Sequence, residues 1–143
     1  MALFPAKDGW LCIGAASLEQ WERFCITIGA VELLADERLF APAERFDRAD
    51  EVDAPLLAWL ATRTATEAVE ELQANRVPAG KVLDFAQLLE EPHLRERGFW
   101  APARHLGASA RVPAAPYRVG AGAAAGASAA PALGEHTAPV LAE

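Results

Sequence analysis

The sequence predicts a small α+β domain in which helices outnumber strands, and three observations carry that prediction. A short apolar run behind an Asp-Gly turn, Asp8-Gly-Trp-Leu-Cys-Ile-Gly14, has the length of a buried strand. Segments that open with capping boxes continue with apolar residues at helical spacing. Two weakly alternating stretches, 99–104 and 111–119, flank a loop of small residues in the manner of paired strands. The 143 residues suffice for one ordinary domain, which can bury roughly two-thirds of its unfolded surface.

The first strand is expected over residues 10–14. Ser17-Leu-Glu-Gln20 then offers a hydroxyl to cap a helix and a Gln three residues on to reach back. Leu18, Trp21, Phe24, Cys25 and Ile28 recur at helical spacing, and Gly29 stops the helix. Residues 36–50 are charged and broken by Pro42. They read as a short helical turn, a loop and a new cap at Asp50 or Asp53, with Leu56, Leu57, Trp59 and Leu60 as the apolar face that follows. Thr64-Ala-Thr-Glu67 is a second capping box, whose helix turns Ala68, Val69 and Leu72 inward and ends near Asn75. Val77-Pro-Ala-Gly-Lys-Val-Leu83 carries a Pro and a Gly, which places it at a sheet edge. Asp84-Phe-Ala-Gln87 caps a short helix through Leu89, and Pro92 opens another that ends at Gly98. Residues 120–130 are almost purely Gly, Ala and Ser and read as a flexible connector.

Composition narrows the function. With 13 Lys and Arg against 20 Asp and Glu, the net charge of -7 opposes the phosphate contacts that nucleic acids and anionic membranes require. No stretch approaches the roughly 18 apolar residues of a bilayer crossing. The N-terminus has neither the basic nor the apolar region of a secretory signal, so a cytoplasmic location is expected. Cys12 and Cys25 sit among apolar neighbours and read as buried thiols. His93, His105 and His136 lie in separate segments without a nearby Cys, so no metal site is expected. No GxGxxG follows a strand, and neither a phosphate-binding GxxxxGK[ST] nor a GxSxG elbow occurs. Glu70-Glu71 and Glu90-Glu91 read as solvated helix faces.

Taken together and in order, several segments resemble the family III CoA-transferases (CaiB/BaiF-like), which include formyl-CoA, carnitine and bile-acid CoA-transferases and α-methylacyl-CoA racemases. The segments are Asp8-Gly9-Trp10, Trp21 to Gly29, Asp36-Glu-Arg-Leu39 with Arg45, and Arg63-Thr64. They continue with Val77-Pro-Ala-Gly80, Glu91-Pro-His-Leu94, Arg97-Gly98 and Leu133-Gly-Glu-His-Thr137. Each is unspecific by itself, whereas the ordered set finishing on LGEHT is specific.

The resemblance implies an enzyme with a large nucleotide-binding-like domain and a small α+β domain, two chains being interlocked like links. This sequence resembles the small domain over residues 1–118. A Gly/Ala-rich linker follows over 119–131, and the LGEHT segment over 132–143 is expected to dock on a large domain. The family's nucleophilic aspartate belongs to the large domain, and no residue here matches it, so no catalytic residue is expected in this chain. The family's glycine-rich loop would lie just before Asp8 and relatives continue past Glu143, so both ends read as truncated: a fragment, a split subunit or a degenerate gene product.

The implied substrates are a coenzyme A thioester and a carboxylic acid, with no covalently bound cofactor, and the implied partner is a large-domain polypeptide or a second copy. Substrate contacts are expected at Ser17, Pro78, Ala79 and Gly80. Racemase-like members carry a Glu where this chain has Ser17, which tilts the reading towards transferase; as an alternative, Ser17 is simply an N-cap. Pro78 to Gly80 reads as a stiff close approach to ligand or as a strand-entry turn. His136 is either functional or part of a docking helix start. The overall reading is the small domain or split subunit of a CoA-transferase, walling the acyl-CoA cleft and inactive alone. The alternatives are a stand-alone interaction or assembly module and the small domain of a racemase-like enzyme.

Overall fold

Asp8 and Gly9 turn the chain between two antiparallel strands, β1 (Ala2–Pro5) and β2 (Trp10–Ile13), with Pro5 opposite Trp10 and Ala2 opposite Ile13. The computed structural model describes residues 1–103, 106–107, 110–117 and 131–142, and the chain divides into two units, 1–83 and 84–143. The expected linker over 119–131 lies, apart from residue 131, outside the described residues, as does His105.

In the first unit β3 (Ala79–Val82) joins the other side of β2, giving the order β1-β2-β3, so it is an edge strand as its Pro and Gly demand. Side chains alternate across this sheet. Phe4, Leu11 and Ile13 face the core, while Leu3, Trp10 and Val82 are exposed on the other face. Helix α1 (Leu18–Ile28) starts at the Ser17 capping box and stops at Gly29, whose φ of 74° suits a residue without Cβ. It buries Trp21, Phe24, Cys25 and Ile28. Helix α4 (Ala65–Ala74) starts at the Thr64 capping box and buries Ala65, Ala68, Val69 and Leu72. Each fully buried Leu or Val here contributes roughly 1.5–3 kcal/mol of apolar transfer free energy.

Between these helices the structure departs from expectation. Residues 31–35 and 37–40 form 3-10 turns, and Pro42 begins a helix, α2 (Pro42–Asp47), because a first turn has no use for the missing N–H. Helix α3 (Ala49–Leu60) starts before both expected caps, with Asp50 and Glu51 in its first turn, where negative charge complements the dipole. Pro55 lies inside α3. The buried stripe is Val52, Leu56, Trp59 and Leu60, while Leu57 is exposed. Tertiary burial of that stripe outweighs the local cost of the proline.

The second unit holds α5 (Phe85–Glu90), capped by Asp84 with Gln87, and α6 (Pro92–Glu96), with Gly98 at φ 66° behind it. Strands β4 (Trp100–Pro102) and β5 (Arg111–Pro113) pair antiparallel and are shorter than the expected 99–104 and 111–119, each ending at a proline. Helix α7 (Thr137–Leu141) closes the chain, and residues 131–142 are exposed throughout. The fold is thus α+β, helices with two small antiparallel sheets. No described helix is long and apolar enough to cross a membrane.

Candidate functional site

The C-terminal end of β2 runs beside three of the four sequence-predicted contact residues, Pro78, Ala79 and Gly80, and Ser17 follows four residues after Ile13 on the same chain. Ile13 pairs with Ala79 and Cys12 with Gly80, and the Gly14 N–H donates to the Pro78 carbonyl at 2.9 Å. The loop 14–17 therefore leaves β2 beside Pro78, while Ala79 and Gly80 lie in β3 alongside β2 itself. Gln73 of α4 donates from Nε2 to the Ala79 carbonyl at 2.8 Å and fixes the turn from behind. A Cβ built on Gly80 would meet nothing within 4 Å, so the backbone here borders open space. A Cβ built on Gly14 would lie 3.5 Å from the Met1 side chain, which places the first residue at the same end of the sheet.

Ser17 is exposed at the mouth of this loop. Its Oγ accepts from the Gln20 N–H at 3.2 Å, and Gln20 Oε1 in return accepts from the Ser17 and Ala16 N–H groups at 3.2 and 3.0 Å. The N-cap reading of Ser17 is correct, and it leaves the hydroxyl proton as a donor. Among the described residues no carboxylate or imidazole bonds Ser17 Oγ, so nothing there would activate it as a nucleophile.

Arg45, on α2, completes the site from a distance. Its guanidinium donates to the Ala15 carbonyl at 2.8 Å and the Ala16 carbonyl at 3.4 Å through one terminal nitrogen. Through the other it donates to Leu39 and Phe40 carbonyls at 2.8 and 3.3 Å. The group stacks 4.7 Å from the centroid of buried Trp21, and burial pushes its pKa down. Sequence reasoning quoted Arg45 only as a landmark. Its acceptors are backbone carbonyls, two of them about 30 residues away, and these leave no residue-type signature.

A second clamp holds the opposite end of the sheet. Asp8 Oδ1 accepts from the Ala65 N–H at 2.7 Å, and Arg63 stacks over Trp59 at 4.2 Å while its Nε pairs with Glu71. Asp36, which caps the second 3-10 turn, accepts from Arg38 and Arg48, which hold its carboxyl far below the usual carboxylate range. No group of three or more His, Cys, Asp or Glu that could hold a metal ion occurs among the described residues. His93 and His136 are exposed in the second unit.

The loop after β2 and strand β3 thus present backbone groups and one hydroxyl, braced by the half-buried Arg45 and by Gln73, and among the described residues no carboxylate or imidazole bonds that hydroxyl. The chain belongs to CoA-transferase family III, whose family model matches residues 1–137. It is 33% identical over 123 residues to the probable CoA-transferase Rv1866 of Mycobacterium tuberculosis, a match covering 82% of this chain and 16% of the relative. Over 78 residues it is 33% identical to the formyl-CoA:oxalate CoA-transferase of Bradyrhizobium diazoefficiens, covering 54% of this chain and 18% of that one. A crystal structure of a point mutant of Rv3272 from Mycobacterium tuberculosis superposes with a TM-score of 0.80 and 31% identity, over 99% of this chain and 39% of that chain. The chain thus spans less than a fifth of the length of these two curated relatives.

Proposed function

We propose that this chain is the small-domain portion of a family III CoA-transferase and walls the cleft in which CoA passes between a thioester and a carboxylic acid. The observation that supports the reading is the pairing of β2 with β3, which sets Gly14, three residues before Ser17, against Pro78, in a chain matched by the family model over residues 1–137. Open space beside the half-buried Gly80 permits close approach of a ligand, and the Ser17 hydroxyl supplies a donor for a thioester or carboxylate oxygen. The nucleophilic carboxylate comes from a large-domain polypeptide, so the chain alone does not turn over. Residues 1–118 then act as the cleft-lining unit, 119–131 as linker, and 132–143 as the docking segment, consistent with the exposure of residues 131–142. The natural assembly pairs the chain with such a polypeptide or a second copy, in the cytoplasm.

The test is to incubate the purified chain with formyl-CoA or succinyl-CoA and a carboxylate acceptor, and to follow thioester exchange by chromatography. No transfer is expected from the chain alone, and transfer is expected once a family large-domain polypeptide is co-purified with it. Turnover by the chain alone overturns the proposal.

A further inference from the structure

Arg45 is a cation in the half-buried layer of an acidic protein, and among the described residues no carboxylate pairs with it. Burying a guanidinium costs free energy unless its donors are satisfied. Here backbone carbonyls from two separate segments satisfy them: Leu39 and Phe40 on one terminal nitrogen, Ala15 and Ala16 on the other. The planar fork fixes the angle between those segments, and the Trp21 face fixes the plane of the fork. Ala15 and Ala16 immediately precede Ser17, whose own cap bonds lock the next turn. The short stretch between β2 and α1 is therefore held at three places: by Pro78 at Gly14, by Arg45 at Ala15 and Ala16, and by Gln20 at Ser17.

We infer that Arg45 is a positioning residue for the acyl-CoA wall, presetting the Ala15–Ser17 bend so that Ser17 and the Pro78–Gly80 turn face the ligand together. The inference rests on the cleft-wall reading above. Arg45 touches no substrate in this scheme. Its effect passes through the two carbonyls, because a loop free to sample other bends must be ordered on binding, and that ordering weakens affinity.

Two measurements on the full chain separate the inference from the reading beneath it. The first is amide hydrogen exchange by NMR for wild type, Arg45→Lys, Arg45→Met and Leu60→Val, the last being a core truncation on α3 that leaves the Arg45 hydrogen bonds in place. Arg45→Met is expected to speed exchange at Ala16, Ser17 and Gln20 at least about tenfold relative to core amides. Arg45→Lys recovers part of this, since an ammonium restores the charge without the fork, and Leu60→Val leaves the loop-to-core ratio unchanged. The second is titration with acetyl-CoA, reading the shifts of residues 14–17 and 78–80. Wild type is expected to show saturable shifts at both segments, weakened about tenfold in Arg45→Met and less in Arg45→Lys. Unchanged loop exchange in Arg45→Met overturns the inference whatever the titration shows. Equal affinities in wild type and Arg45→Met overturn it too. Absent shifts at both segments in wild type overturn the cleft-wall reading and the ligand role of Arg45 with it.

Discussion

Raising the pH through the thiol range should destabilise the protein by way of one residue. Cys25 has no exposed surface, and burial pushes its pKa from the ordinary 9.0 up to about 12, partly offset by the nearby Arg45 charge. Above 9.0 the unfolded chain loses the thiol proton while the folded chain keeps it. The folded state then binds more protons, so stability falls as pH rises. The contribution is fully present below the unfolded value and is lost across the window from 9.0 to about 12. At ~1.4 kcal/mol per pH unit the loss is about 2 kcal/mol near pH 10.5 and about 4 kcal/mol near pH 12. A domain of this size holds about 5–15 kcal/mol in all, so the loss is measurable. Urea unfolding followed by tryptophan fluorescence, under reducing conditions at about pH 7.5, 9 and 10.5, should be compared between wild type and Cys25→Ala. Lysine and tyrosine titration is common to both and cancels. The advantage of wild type over the variant should shrink by about 2 kcal/mol between about pH 7.5 and 10.5. An advantage that stays constant over that range refutes the argument.

Other substitutions probe the frame of the site. Leu72→Ala on α4 removes a side chain with no exposed surface and should cost about 3–5 kcal/mol in urea unfolding, because its helix carries both Gln73 and the chain that enters β3. Ser17→Ala and Thr64→Ala should each cost about 1 kcal/mol through loss of the cap, measured as a shift in unfolding midpoint at unchanged slope. The Glu67 carboxyl is held below its ordinary pKa by the Thr64 N–H and then the Thr64 hydroxyl, so its share of stability is present above the ordinary carboxylate value and is lost as pH falls through the lowered one. Glu67→Gln should flatten that acid limb in a pH series of thermal melts. Arg76, behind α4, has a φ of 61°, a conformation that disfavours a side chain, and Arg76→Gly should raise stability by up to about 1 kcal/mol in calorimetry.

The elements most readable in the sequence are those specified by neighbours in the chain. Ser17 with Gln20, Thr64 with Glu67 and Asp84 with Gln87 each satisfy helix-end donors within three residues, and all three form as expected. Gly29 and the edge character of β3 follow from the same local rules. The misreadings fall where distant partners decide. Strand β1 has no signature of its own and exists because β2 offers it a full ladder. Helix α3 runs through Pro55 because Val52 and Leu56 on either side of it are buried in the core. Asp50 and Asp53 look like caps in sequence, yet the helix begins ahead of both once Val52 is needed inside.

The candidate site divides along the same line. Ser17 and the Pro78–Gly80 segment can be singled out because hydroxyl, proline and glycine are residue types with local consequences, and pairing of β2 with β3 then sets the segment beside the strand that leads to Ser17. Arg45 escapes such reading because what it recognises is main-chain carbonyl oxygen, and every residue has one. Its specificity lies in the simultaneous geometry of Ala15, Ala16, Leu39 and Phe40, which exists only after α1, the 3-10 turns and α2 have packed. A Lys at that position would keep charge and length and lose the fork, so the choice of arginine is explained by the fold and not by the local sequence. The same logic bears on the wall as a whole. On the proposed cleft-wall reading its chemistry is carried by backbone groups and one hydroxyl, so its selectivity depends on how rigidly the bend is held, and the hydrogen bonds at Gly14, Ala15, Ala16 and Ser17 are where that rigidity originates.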